Sequence, residues 1–182
     1  MRGVFLVGPP GAGKTTQGAM LAHTLGGTHR SMGELVRTAR AAGARLPSPA
    51  ATSAAARQAT VELIRGSLHA PTPSLVLDGF PRSPGQLAWL GDVAPGGCTI
   101  IEIRVGVGTC IERMKGRGRA GEDMATIAFR HDVYARASAA LHGAAAGQGL
   151  QVRQVDGELE AHEVAAQIRA LTEALSPAAI AG

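Results

Sequence analysis

The chain has 182 residues, a formal net charge of +4 at pH 7, 45% hydrophobic residues and only 3% aromatic residues. This length is enough for one domain with a real core, which must consist mainly of Ala, Val, Leu and Ile. Its apolar runs are shorter than the roughly 18 residues that span a membrane, and no secretion signal begins it, so we expect a cytoplasmic protein without a membrane partner. The lack of a long basic run and the few aromatic residues argue against nucleic-acid binding.

Strand and helix signals alternate along the chain. Short apolar runs predict strands at 4–7, 74–77, 99–105 and 150–155. Helical periodicity predicts helices at 16–25, 33–42, 52–68, 86–90, 107–115, 123–146 and 161–175. This alternation predicts an α/β fold, in which helices cover both faces of a parallel sheet and ligands bind beyond the carboxyl ends of the strands.

Residues 8–15 follow the first predicted strand and fit the phosphate-loop spacing G-x-x-x-x-G-K-[ST]. Glycines let backbone N–H groups face an anionic phosphate, and the next helix directs its positive end at the same point. Lys14 adds a mobile charge for the outer phosphates. A threonine hydroxyl can bind Mg²⁺, and both Thr15 and Thr16 remain open for that role. The pattern therefore predicts a nucleotide-binding site.

A second motif, Asp78-Gly79-Phe80-Pro81-Arg82, follows the strand predicted at 74–77. A carboxylate that ends a buried strand beside a phosphate loop is suited to hold Mg²⁺ or its water shell. Gly79 permits close approach, Pro81 stiffens the turn, and Arg82 can donate two parallel hydrogen bonds to a phosphate. With the phosphate loop also present, the motif indicates function rather than a plain turn.

With both motifs in place, the chain resembles the adenylate kinase family of nucleoside monophosphate kinases. Residues 8–17 resemble that family's G-x-P-G-x-G-K-G-T-Q, and residues 78–82 match its D-G-F-P-R in full. Residues 31–37 resemble S-T-G-D-L-L-R, and Gln86 stands where the family's adenine-reading glutamine stands. The other matches are Arg113, Arg117, Arg119, Arg130 with Tyr134 four residues later, and the turn at 155–157. Together they run from residue 3 to about residue 175.

The resemblance implies phosphoryl transfer from MgATP to AMP, which gives two ADP. It implies one P-loop kinase domain over residues 1–182, with a five-stranded parallel sheet, a helical acceptor-binding segment at 31–68 and a short lid at 117–121. The expected partners are small nucleotides alone, and the expected state is a monomer.

The resemblance also implies a role for each matching residue. Binding of the donor, ATP, falls to Gly11, Ala12, Gly13, Lys14, Thr15, Thr16, Arg113, Arg117 and Gln154. Mg²⁺ binding falls to Thr16 and Asp78. Binding of the acceptor falls to Met32, Arg37, Gly79, Phe80, Pro81, Arg82, Gln86, Arg119 and Arg130. Catalysis falls to Lys14, Asp78, Arg82, Arg117, Arg119 and Arg130.

Some positions depart from the family's pattern. Met32 replaces a threonine that contacts the acceptor base, and a thioether is a poor hydrogen-bond partner. Thr15 replaces a glycine, Gly121-Glu122 replaces paired aspartates, and the segment between Arg37 and Asp78 is shortened. Two alternatives therefore stay open: a related kinase with another nucleotide or a hydroxylated metabolite as acceptor, and a nucleotide-binding module without turnover.

Overall fold

A single parallel sheet organises the computed structural model, which describes residues 1–48, 51–68, 71–115 and 123–173. The strand order across the sheet is β2-β3-β1-β4-β5, and every neighbouring pair is parallel. Within the described residues the strands are β1 (Arg2–Val7), β2 (Thr28–Ser31), β3 (Ser74–Asp78), β4 (Cys98–Arg104) and β5 (Val152–Asp156). The predicted five-stranded α/β fold is confirmed.

Helices connect these strands and cover both faces of the sheet. In the described ranges they are α1 (Lys14–Thr24), α2 (Met32–Ala41), α3 (Ala54–Gly66), a 3-10 helix (Pro84–Trp89), α4 (Leu90–Val93), α5 (Val107–Lys115), α6 (Met124–Gly147) and α7 (Ala161–Glu173). The helix predicted at 86–90 is instead the 3-10 helix followed by α4. No helix in the described part of the chain is both long and apolar enough to cross a bilayer.

Strand β2 is the element that the hydrophobic pattern misses. Its sequence, Thr-His-Arg-Ser, contains no aliphatic or aromatic core residue, and all four residues are only partly buried. The strand lies at the sheet edge and pairs with β3 from Thr28 opposite Leu75 to Ser31 opposite Asp78. Backbone hydrogen bonds to β3 hold such a strand, so its side chains need not be apolar. This position leaves them available for the site.

The core consists of two clusters, one on each face of the sheet. Phe5 and Leu77 point to one face, where α3, the 3-10 helix and the second half of α6 pack. Leu6 and Val76 point to the other, where α1, α5 and α7 pack. Phe80 lies in the first cluster, with its ring centroid 6.2 Å from that of Phe5 and also 6.2 Å from that of Trp89. The second motif is therefore anchored in the core directly after β3.

Candidate active site

The phosphate loop connects β1 to α1, and its lysine is the first residue of that helix. Lys14 Nζ donates hydrogen bonds to the carbonyl oxygens of Gly8, at 2.8 Å, and Pro9, at 2.7 Å. Gly11 and Gly13 have φ values of 82° and 85°, which glycine adopts without strain. No side chain caps the N-terminus of α1. The positive end of the helix and the ammonium group therefore meet at the loop, as a phosphate site requires.

Beside the loop lies a cleft of about 440 Å³. Gly11 allows α5 to form its wall, because a Cβ there would lie 2.9 Å from the carbonyl oxygen of Cys110. Arg113, from the same helix, lines the cleft together with Thr16. Its lining residues are Gly11, Ala12, Gly13, Thr16, Gln17, Arg113, Gly157, Leu159, Glu160, Ala161 and Val164. Thr15 and Thr16 are both exposed, but of the two only Thr16 lines the cleft.

The turn between β5 and α7 supplies the part of this cleft that sequence reasoning gave no role. Gly157 packs tightly against the end of β4, because a Cβ there would lie 2.6 Å from Ile103 Cγ2. The Glu158 carboxylate accepts hydrogen bonds from Thr109 Oγ1 and the Gly106 N–H, both at 2.6 Å. These bonds lower the pKa of Glu158 and outweigh the opposing effect of burial, and the charge of Arg113 lowers it further. The charged carboxylate thus ties the turn, including Leu159, to the start of α5.

Gln154 does not line the cleft beside the phosphate loop. Its amide nitrogen donates to Glu102 Oε2 at 2.9 Å, and it lines a separate cleft with Pro9, Tyr134 and His142. The resemblance placed both Gln154 and Arg113 among the residues that bind the donor, ATP. The structure does not bring these two side chains to the same cleft. The turn that follows β5, rather than β5 itself, faces Arg113.

Asp78 ends β3 next to the phosphate loop and is almost fully buried. Its Oδ2 lies 2.9 Å from His29 Nε2, and its Oδ1 accepts a hydrogen bond from Ser31 Oγ at 3.0 Å. Burial raises its pKa, but these two hydrogen bonds and the charges of His29 and Lys14 outweigh burial and keep the pKa below its ordinary value. Asp78 is therefore a carboxylate at neutral pH, as a magnesium-binding role requires.

His29 is a site residue that the sequence pattern did not reveal. Both side chains that hold the Asp78 carboxylate, His29 and Ser31, come from the missed strand β2. The imidazole lies over α1 at Gly18, where a Cβ would stand 2.6 Å from its Nε2 and Cδ2 atoms. The one available signal was a glycine inside a helix, which indicates close approach of another group.

Two arginines converge on the first turn of α2. A Cβ on Gly33 would lie 3.4 Å from Arg37 Nη1, 3.8 Å from Ser31 Oγ and 4.0 Å from Arg82 Nη2. Ser31 precedes α2, but its side chain does not cap the helix. Two guanidinium groups thus meet the positive end of a helix, which is a suitable site for an anion. Arg82 is oriented there by the hydrogen bond from its Nε to the Gly79 carbonyl oxygen, at 2.7 Å.

Arg130 lies close enough to Arg82 to act on its charge. The pKa of Arg82 is lowered, first by desolvation and also by the charge of Arg130, while Asp78 opposes the shift. Arg130 is exposed on α6. Arg117 and Arg119, with the lid expected at 117–121, lie outside the described residues.

A small cavity adjoins Arg82 and marks the place expected for the acceptor base. Its volume is about 30 Å³, and residues from α2, α3 and the second motif line it. Gln86 is buried in its wall, and its Oε1 accepts a hydrogen bond from the Arg82 N–H at 2.7 Å. The lining residues are Met32, Val36, Leu46, Pro47, Ser48, Ala59, Thr60, Leu63, Phe80, Arg82 and Gln86. Pro81 is also buried, and a cis peptide bond joins it to Phe80.

Comparison with known proteins identifies the family of the chain. A family model described as "AAA domain" matches residues 7–128. The adenylate kinase of Mycobacterium tuberculosis (strain ATCC 25618 / H37Rv) is 37% identical over 142 residues, which cover 72% of this chain and 78% of the relative. The adenylate kinase of Synechococcus sp. (strain WH7803) is 30% identical over 169 residues, which cover 87% and 92%. The chain belongs to the adenylate kinase family.

Membership of the adenylate kinase family makes the chain a P-loop nucleotide kinase, and the predictions of an enzyme and of its family are confirmed. The described residues contain no group of three or more His, Cys, Asp or Glu side chains that could hold a metal ion by themselves.

Proposed function

We propose that this enzyme transfers the γ-phosphoryl group of MgATP to AMP and produces two ADP. The main support for the proposal is that two separate candidate anion sites lie near one carboxylate, that of Asp78. One is the phosphate loop with Lys14, and the other is the α2 terminus with Arg37 and Arg82. Asp78 lies opposite Leu6 of β1 and opposite Ser31 of β2, the residue that directly precedes α2, and Ser31 Oγ donates a hydrogen bond to it.

The donor nucleotide occupies the phosphate loop and the adjoining cleft. The loop N–H groups and Lys14 hold its phosphates, and its base lies in the cleft between Arg113 and Leu159. A guanidinium plane and an aliphatic side chain suit the two faces of a base. Asp78 and the Thr16 hydroxyl are hard oxygen donors, which fit Mg²⁺. When bound, Mg²⁺ would neutralise charge on the phosphate oxygens.

The acceptor's phosphate binds to Arg37 and Arg82 at the start of α2. Its base enters the cavity beside Gln86 and Met32. A volume of about 30 Å³ holds a water molecule but not a nucleobase, so α2 and α3 must separate from the 3-10 helix when the acceptor enters. Residues 31–68 are accordingly proposed as a mobile acceptor-binding segment.

The reaction requires positioning and charge stabilisation rather than covalent chemistry by the protein. Lys14 and Arg82 neutralise negative charge on the transferred group from the donor and acceptor sides. Arg130 adds a third cation near Arg82. Arg117 and Arg119, on the proposed lid at 117–121, complete the set and exclude water when the lid closes. We further propose that the enzyme is a cytoplasmic monomer.

A second candidate function differs only in the acceptor. Met32 lies in the acceptor cavity, and its thioether offers no strong hydrogen bond to a base. This observation favours a weaker or altered preference among nucleoside monophosphates. The donor half of the site is the same in both cases.

A coupled assay with ATP and each of AMP, CMP, UMP, GMP and dAMP tests the two functions. The proposal predicts the highest kcat/KM for AMP. A higher value for another nucleotide would establish the second function, and no transfer to any of the five would contradict the first.

A further inference from the structure

The further inference concerns Tyr134, which follows Arg130 by four residues and has no role in the proposed function. Its hydroxyl donates a hydrogen bond to Glu102 Oε1 at 2.7 Å. Glu102 is a buried residue of β4, in the sheet's interior beside the phosphate loop. A buried carboxylate is strongly destabilising unless hydrogen bonds satisfy it. Hydrogen bonds do satisfy the Glu102 carboxylate, and the positions of their donors suggest a role for the residue.

Three of the groups that satisfy Glu102 come from one helix at one spacing. Tyr134, Ser138 and His142 are successive fourth residues of α6, and each contacts the Glu102 carboxylate. Gln154 of β5 adds a fourth contact, at 2.9 Å. Residues four apart lie on the same side of a helix. The three α6 residues therefore fix the rotation of the helix about its axis against β4.

Arg130 is the next residue in this series towards the start of α6. If α6 rotated or slid along its axis, Arg130 would move with it. The contacts with the Glu102 carboxylate oppose such a motion. We propose that Glu102 and Tyr134 are positioning residues, which hold Arg130 beside Arg82 through the fixed orientation of α6. The proposal rests on the proposed function, since it gives Arg130 a place at the transferred phosphoryl group.

The charges in the cluster are consistent with this role. Burial raises the pKa of Glu102, but the hydrogen bonds from Ser138, Tyr134, His142 and Gln154 outweigh burial and keep it lowered, so the group is a carboxylate. Burial, and next the bond to Glu102, raise the pKa of Tyr134, so the phenol keeps its proton and remains the donor. The link therefore persists across the neutral pH range.

A double-mutant cycle between Tyr134→Phe and Arg130→Ala tests the proposal. Tyr134→Phe removes one donor and keeps the ring. We expect it to lower kcat about tenfold or more while KM for both nucleotides changes less than about twofold, because a small misplacement of a catalytic group slows the reaction strongly. In the Arg130→Ala background, Tyr134→Phe should have no further effect on kcat.

Two further variants distinguish the misplacement of Arg130 from a general loss of stability. Ser138→Ala removes a different donor to the same carboxylate and should show the same dependence on Arg130. Ile168→Val trims a buried side chain of α7, outside both clefts, and should lower the thermal midpoint without changing kcat.

Equal falls in kcat in both backgrounds, or an Arg130→Ala variant with wild-type kcat, would overturn the proposal while leaving the kinase activity in place. A wild-type enzyme that transfers no phosphoryl group would instead contradict the proposed function itself. The two failures are thus distinguished by the wild-type control.

Discussion

His29 Nε2 lies 2.9 Å from Asp78 Oδ2, so an edge strand with no hydrophobic pattern orients the carboxylate at the centre of the site. The contact exists because Gly18, one turn after Lys14 on α1, has no Cβ to displace the imidazole. The orientation of the Asp78 carboxylate therefore depends on the close approach of His29, on β2, to Gly18, on α1. Adding one methyl group at Gly18 tests that dependence.

Gly18→Ala should displace His29, because the new Cβ would lie 2.6 Å from the ring. Asp78 then loses one of its two orienting hydrogen bonds. We expect kcat to fall about tenfold or more and the Mg²⁺ concentration for half-maximal activity to rise. Gly143→Ala is the matched control, because a Cβ there meets no atom within 4 Å. Equal magnesium dependence in the two variants would refute the role of His29.

Lys14→Ala should lower kcat about a hundred- to a thousandfold, since loss of one preorganised charge in an active site has effects of this size. The thermal midpoint should change little, because Lys14 is only partly buried. Lys115→Ala provides the comparison, because Lys115 is the chain's only other lysine and forms an exposed pair with Glu112. Steady-state kinetics that rank the two variants equally would contradict the assignment.

Gly33→Ala should weaken acceptor binding, because the new Cβ would contact Arg37 Nη1 at 3.4 Å and Arg82 Nη2 at 4.0 Å and take space that the acceptor's phosphate needs. Hydrogen bonds to charged groups contribute about 1.5–3 kcal/mol, so loss of one should raise KM for AMP about tenfold or more. KM for ATP should stay constant. Gly66→Ala on α3 meets no atom within 4 Å and is the control. A rise in KM for ATP instead would mean that this site binds the donor.

Glu102→Gln should change the acid dependence of stability. The pKa of Glu102 is lowered in the folded protein, where burial is outweighed by four hydrogen bonds. Its stabilising effect is therefore complete above the unfolded-state pKa, about 4.3, and is lost as the pH falls through the lower folded-state pKa. Urea unfolding from pH 7 to pH 3 should show a shallower acid loss in the variant, which should also be less stable at pH 7. If the free energy of unfolding fell with acid as steeply in the variant as in the wild type, the lowered pKa of Glu102 would be contradicted.

Met32→Thr should change the relative preference among acceptor nucleotides, because it replaces a thioether in the base cavity with a hydroxyl. We expect kcat/KM for AMP to rise relative to CMP, UMP and GMP. The same coupled assay measures this ratio. Unchanged ratios of kcat/KM for AMP to kcat/KM for the other nucleotides would show that Met32 does not read the base.

The sequence was sufficient where function depends on a short continuous motif. The phosphate loop follows β1 and the motif at 78–82 begins at the end of β3, so the sequence locates both motifs, and the parallel pairing of the two strands brings them to the same sheet edge. The sequence was insufficient where a contact joins distant segments. The bonds of Glu102 to Gln154 and of Asp78 to His29 span 52 and 49 positions, and no local periodicity encodes them.

The most direct measurement of the central claim supplies the purified enzyme with Mg²⁺ and ADP alone and follows the nucleotides by ³¹P NMR. An enzyme that transfers phosphoryl groups between ATP and AMP must also run in reverse, so the account predicts ATP and AMP in equal amounts. Lys14→Ala, measured in parallel, should form neither product at a comparable rate. ADP that stays unchanged with the wild-type enzyme would contradict the account.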